Sequence, residues 1–210
     1  VETSAIEALI AEQYADSDAE SELHDLLVVV AERSGKDATR EDIERGFRFV
    51  RGYIELVPYM MKVAKTAASA VGLEDQMERV LAMVKSYWEQ PDDFIPDHLG
   101  IIGLLDDAYC SLSSLQTVSD HFQLQTGKYL FPDDLSDANK AMRKIIGEPY
   151  SSDLDRLVLR TMQESRLVET LKKMSSAEKQ LSFANQSTIW NHGPAGKVDI
   201  RDLAGLGLID

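Results

Sequence analysis

Apolar residues along this chain recur at spacings of three and four, and alternating β-branched runs are almost missing, so the pattern predicts helix nearly throughout. Residues 3–14 form a short helix with Ile6, Leu9 and Ile10 on one side. The next begins near Ser17, where Ser17-Asp18-Ala19-Glu20 has the reciprocal capping spacing, and it ends at Gly35, with Leu23, Leu26, Leu27, Val30 and Ala31 as its buried stripe. Thr39-Arg40-Glu41-Asp42 caps a third, which runs through Phe47, Val50, Ile54 and Val57 to Pro58. There the missing N–H is expected to kink or break it. The pattern resumes at Tyr59, Met60 and Val63 and stops at Gly72; residues 73–90 follow as the clearest amphipathic segment, with Met77, Val80, Leu81, Val84 and Trp88 inward.

A long helix is expected from Gly103 through Leu112, Leu115, Val118 and Phe122 to a glycine cap at Gly127. Further helices are predicted over 133–147, 152–174 and 176–187. The last twenty residues carry glycines and a proline around Leu203, Leu206, Leu208 and Ile209, which suggests an extended tail docking on the body or on another chain. The expected architecture is therefore all-α: a single irregular multi-helix bundle over 1–190, an Asp/Pro/Gly-rich helical turn at 91–107, and a docking tail over 191–210.

Composition adds bounds. With 210 residues, 44% of them hydrophobic, the chain can bury a substantial core as one domain. Its 36 acids and 22 bases give a net charge of −14, which opposes phosphate backbones, so no nucleic-acid partner is expected. The charge comes in blocks: 9 acids and 1 base over 1–35, the same over 91–137, then 6 acids and 9 bases over 138–184. Such blocks predict a dipolar surface or, as the ordinary outcome, packing of an acidic stretch against the basic one. The single cysteine, Cys110, allows no internal disulfide; it follows Asp106 and Asp107, which disfavour a thiolate, so it reads as a packing residue of a reduced, cytoplasmic protein. No window approaches the roughly 18 apolar residues of a membrane span.

The densest chemistry lies in Asp93-Phe94-Ile95-Pro96-Asp97-His98-Leu99-Gly100-Ile101-Ile102-Gly103-Leu104-Leu105-Asp106-Asp107. Pro96 biases Ile95 away from the helical region and forces a turn. Asp93 and Asp97 then stand at N-cap positions, Gly103 allows a close approach or a positive φ, and Asp106 and Asp107 fall in the first turn of the next helix, near its positive dipole end. The alternative is that Asp93, Asp97, Asp106 and Asp107, with or without His98, gather as ligands of Mg²⁺, Mn²⁺ or Ca²⁺, which prefer carboxylate oxygen. The spacing matches no EF-hand loop, and adjacent helical aspartates point about 100° apart.

Asp93, Ile95, Pro96, Asp97, Gly103, Asp106 and Asp107 match, position by position, the signature of the YkvA-like family, and the resemblance covers about residues 70–125. The departures are Gly100, where the family often has a second proline, and His98, where an apolar residue is common. What the resemblance implies is an all-helical module beside membranes or protein partners, with no established catalysis.

The four histidines, His24, His98, His121 and His192, share no zinc-binding spacing, and no nucleophile elbow, P-loop or dinucleotide fingerprint is present. Arg45, Arg48 and Arg51 share a helix face, but neighbouring glutamates neutralise most of it. The sequence thus leads to a non-enzymatic interaction module, cytoplasmic and membrane-proximal, that uses the Phe94–Leu105 hairpin and the C-terminal tail as contact surfaces, binds a protein partner or itself and touches the membrane at most peripherally. The rivals are a carboxylate metal site, structural or hydrolytic, and an acidic surface for a basic protein partner.

Overall fold

A computed structural model describes residues 2–15, 17–89, 95, 97–131, 133–174 and 198–209; of Ser17, Asp97, His98, Leu99, Leu171, Lys173 and Met174 the backbone alone is described. In these residues the chain is an all-α bundle: α1 (Ser4–Tyr14), α2 (Ser17–Arg33), α3 (Arg40–Val71), α4 (Glu74–Tyr87), α5 (Leu105–Thr126), α6 (Ser136–Ile146), α7 (Tyr150–Glu164) and α8 (Leu167–Met174). Two 3₁₀ helices complete it, the signature helix Asp97–Leu104 and a terminal helix Ile200–Leu206. The 176–187 helix expected from sequence lies outside the described residues.

Two long helices organise the packing. α5 is wrapped by α3, α4, α6, α7, α8 and the signature helix, while α3 carries α1, α2, α4 and the terminal helix on its other sides. Thr39 and Asp42 close the capping box that the sequence indicates: the Asp42 N–H donates to the Thr39 hydroxyl at 3.2 Å and the Thr39 N–H to the Asp42 carboxylate at 2.9 Å. Pro58 does not end α3, which continues unbroken for 32 residues. A mid-helix proline costs about 3 kcal/mol. Here Val57, Met60 and Met61 are fully buried around it, and burying such side chains returns roughly 1.5–3 kcal/mol each, so packing overrides the break.

The single helix expected over 152–174 is instead two. Ser165 is fully buried and its hydroxyl donates to the Met162 carbonyl at 2.9 Å and accepts from the Leu167 N–H at 3.3 Å, local bonds that replace the helical ladder. Arg166 then takes a φ of +54°, and α8 follows from Leu167. The tail also departs from the extended form: Asp199 accepts the Arg201 N–H at 2.9 Å, a 3₁₀ helix follows, and Gly207 ends it at a φ of +70°. Leu203, Leu206 and Leu208 are buried, on a surface made by α2, α3 and α6.

The acidic blocks pair in part as expected: α5, from the second acidic block, packs on α6, α7 and α8 of the basic stretch, and Asp137 meets Lys140 at 2.9 Å. Among the described residues, Glu7 meets Lys62 at 2.8 Å and Glu20 meets Arg51 at 3.5 Å, so the first block is tied to α3. Arg143 spends its charge inside its own basic stretch, on Glu148 and Asp155, both at 2.8 Å. Proximity decides: α1 and α2 lie on α3, whose long cations are in reach.

Candidate functional site

The signature lies between α4 and α5, where the sequence puts it. Asp93 and Pro96 lie outside the described residues; Asp97 is the first residue of the signature helix, and the structure describes its backbone only. Asp106 and Asp107 sit in the first turn of α5, each 2% exposed. Asp106 Oδ2 accepts the Ile95 N–H at 2.9 Å and Oδ1 accepts the Asp107 N–H at 3.1 Å. One carboxylate thus clasps the chain ahead of the signature helix to the start of α5, with an oxygen assigned to each strand of the turn.

The glycine of the turn that needs its backbone freedom is Gly100, and Gly103, although buried, is not among the positive-φ residues. Gly100 has a φ of +62°, and a Cβ there would stand 2.7 Å from the Ala19 Cβ, so α2 and the signature helix approach as closely as backbone allows. A proline at this position, with its φ locked near −65°, does not fit. The described apolar residues of the turn face inward: Ile101, Leu104 and Leu105 are buried against α1 and α2 or the core, and Ile95 and Ile102 are half-buried.

Among the described residues no group of three or more His, Cys, Asp or Glu side chains is placed to share a metal ion. His24 lies edge-on to Phe47 with ring centroids 4.8 Å apart and 3.9 Å from Glu44, while His121 is half-buried on α5. Cys110 is buried, as a packing cysteine should be. On the arginine face of α3, Arg45 pairs with Glu41, and Arg51 caps the Tyr14 ring at 4.3 Å between Glu20 and Glu55.

Sequence reasoning missed the polar shell around α5. The Tyr109 hydroxyl donates to Asp155 Oδ1 at 2.6 Å, whose other oxygen takes Arg143 Nε at 2.8 Å. Trp88 Nε1 donates to Ser111 at 2.9 Å, the Tyr53 hydroxyl to Asn139 at 2.6 Å, and Tyr87 bonds Thr161. Gln116 reaches out of α5 to accept the Leu135 N–H at 2.8 Å, just before α6. A sequence signal was present: α5 carries Ser111, Ser114, Gln116 and Ser119 at helical spacing, which on a buried helix demands partners.

Burial raises the phenols of Tyr14, Tyr53, Tyr87 and Tyr109 above the ordinary tyrosine value. In the unfolded chain these groups give up their protons first. Their contribution to stability is therefore complete below the unfolded pKa of about 10 and is lost as pH climbs toward the folded values. A pH titration followed by tyrosinate absorbance and circular dichroism should show these four buried phenols ionising only as helicity collapses. Ionisation of all tyrosines in one step at full helicity would contradict this burial.

No described helix is long and apolar enough to cross a membrane. No protein-family model, no curated protein and no solved structure matches the chain.

Proposed function

We propose that the chain is a non-enzymatic interaction module whose contact surface is the groove on α2, α3 and α6, the place where its own residues 198–209 are seated. The supporting observation is the form of that seat. Gly46 on α3 lets Leu206 approach so closely that a Cβ would stand 2.6 Å from Leu206 Cδ1, and Leu203, Leu206 and Leu208 bury one face of a short helical turn. Lys144 Nζ also donates to the Leu208 carbonyl at 2.8 Å, reading backbone as well as side chains. A groove that accepts leucines at i and i+3 of a 3₁₀ turn and a third just past its end can accept the same pattern from a second copy or from another protein. The YkvA-like resemblance and a cytoplasmic, membrane-proximal setting belong to this reading.

The described apolar residues of the signature are less suited to contact, because they are spent on the core. The Asp106 clasp likewise favours an architectural use of the signature acids over catalysis, since both oxygens face backbone donors. A labelled peptide of residues 198–209 should bind the full chain carrying Leu203→Asp and Leu206→Asp, whose groove is vacated, and bind the native chain far more weakly. Binding to neither defeats the capture role.

The metal reading is tested separately by melting the chelated native protein with and without Mg²⁺, Mn²⁺ and Ca²⁺. A ligand held only by the folded state raises its melting temperature, by an amount worth about 2.7 kcal/mol at a hundredfold excess over Kd. The expected result is an unchanged melt; a rise that Asp97→Ala abolishes favours the cation site instead.

A further inference from the structure

Beside the seated segment, α6 and the terminal residues line a half-open pocket of about 560 Å³. Its size is that of a site for a small organic molecule, which typically spans about 300–1,000 Å³. The two walls differ in chemistry. α6 presents Lys140, Arg143 and Lys144, and the opposite wall presents Ile200, Leu208 and Ile209. In a chain of net charge −14, a cationic wall facing an apolar one is an unusual concentration.

The cations are not equal. Arg143 is committed to Asp155 and Glu148, both at 2.8 Å, and Lys140 lies 2.9 Å from Asp137, itself a lining residue. Lys144 is the exception: among the described residues no carboxylate pairs with it. An ammonium has three N–H donors; one of them is fixed by the Leu208 carbonyl at 2.8 Å, which holds the head group at the junction of the polar and apolar walls. With Arg143 and Lys140 committed to their partners, Lys144 is the cation left to answer a ligand.

We propose that this pocket binds a small monocarboxylate with an apolar body, its carboxylate on Lys144 with Lys140 adjacent and its chain against Ile200, Leu208 and Ile209. A dianionic phosphate exceeds the available charge, and a neutral alcohol leaves Lys144 unanswered. Because the apolar wall belongs to the seated segment, the ligand also bridges that segment to α6. The inference is independent of whether the groove captures a segment from another molecule.

Octanoate is the probe, titrated into the full native chain by calorimetry, with octanol and octyl phosphate as comparison arms. The expected result is saturable binding of one octanoate per chain. Octanol should bind at least about tenfold more weakly, the worth of one charge-assisted hydrogen bond. Octyl phosphate should bind no more tightly than octanoate. Lys144→Met should weaken octanoate by about the same tenfold, while Lys144→Arg, which keeps charge and donor, should retain it. If Lys144→Met destabilises the fold, Ile200→Ser in the native background tests the apolar wall and should likewise weaken octanoate. Equal affinity for octanol, tighter binding of the phosphate, indifference to both substitutions, or no saturable binding would each overturn the assignment.

Discussion

Replacing Asp106 with alanine is expected to cost about 3 kcal/mol of folding stability, read as a lower urea midpoint at unchanged m-value. Two backbone donors, those of Ile95 and Asp107, lose their acceptor at once. Each buried donor left without one costs about 1–3 kcal/mol, and the charge that Asp106 brings into the interior offsets part of the total, since removing a buried carboxylate also removes its desolvation penalty. Asp106→Asn should fall between the native and alanine forms, because the amide keeps one accepting oxygen and turns a donor toward the other N–H. The loss should be equal in chelator and in Mg²⁺. An alanine variant as stable as the native protein would mean that the clasp contributes nothing net.

Leu206→Ala is expected to release the terminal segment while the body stays folded. A buried leucine truncated to alanine costs about 2–5 kcal/mol. The segment's docking rests chiefly on three such leucines and is opposed by the conformational entropy lost in ordering it, so its net margin is thin. Hydrogen exchange should therefore show amides of 200–207 losing protection by about a hundredfold or more while those of α3 and α5 keep theirs. Gly205→Ala should act in the same direction. A Cβ there would stand 2.6 Å from the Asp42 Cβ, which no side-chain rotation moves, so the segment must back away from α3 and its amides should lose protection too. Equal protection of the segment in native and Leu206→Ala protein would show that Leu206 does not hold it.

Local signals carried much of this architecture and failed where distance intervenes. Thr39 and Asp42 stand three residues apart and announce their own cap; Gly72 and Gly127 end their helices at positive φ as expected. Pro58 misleads because its cost is local and its compensation comes from residues on other helices. The break at Ser165 hides because serine is tolerated in helices until burial hands its hydroxyl to its own backbone. In the signature, the position of Asp106 was legible, but its bond partner, eleven residues back across the turn, was not. The pocket was less visible still: Lys144 and Leu208 meet across 64 residues, and only the basic bias of 138–184 hinted that α6 would present cations.

The seat of the terminal segment has a consequence for how the protein is made. Its groove is built chiefly on α3, a helix finished once residue 71 has been synthesised, with α6 added by residue 146, whereas the leucines that cover it come last, from residue 203 on. Throughout translation the Gly46 face therefore stays uncovered on the ribosome, open to a chaperone or to a neighbouring nascent chain on the same message. Cotranslational pairing, if the groove accepts a segment in trans, has its longest opportunity in that interval.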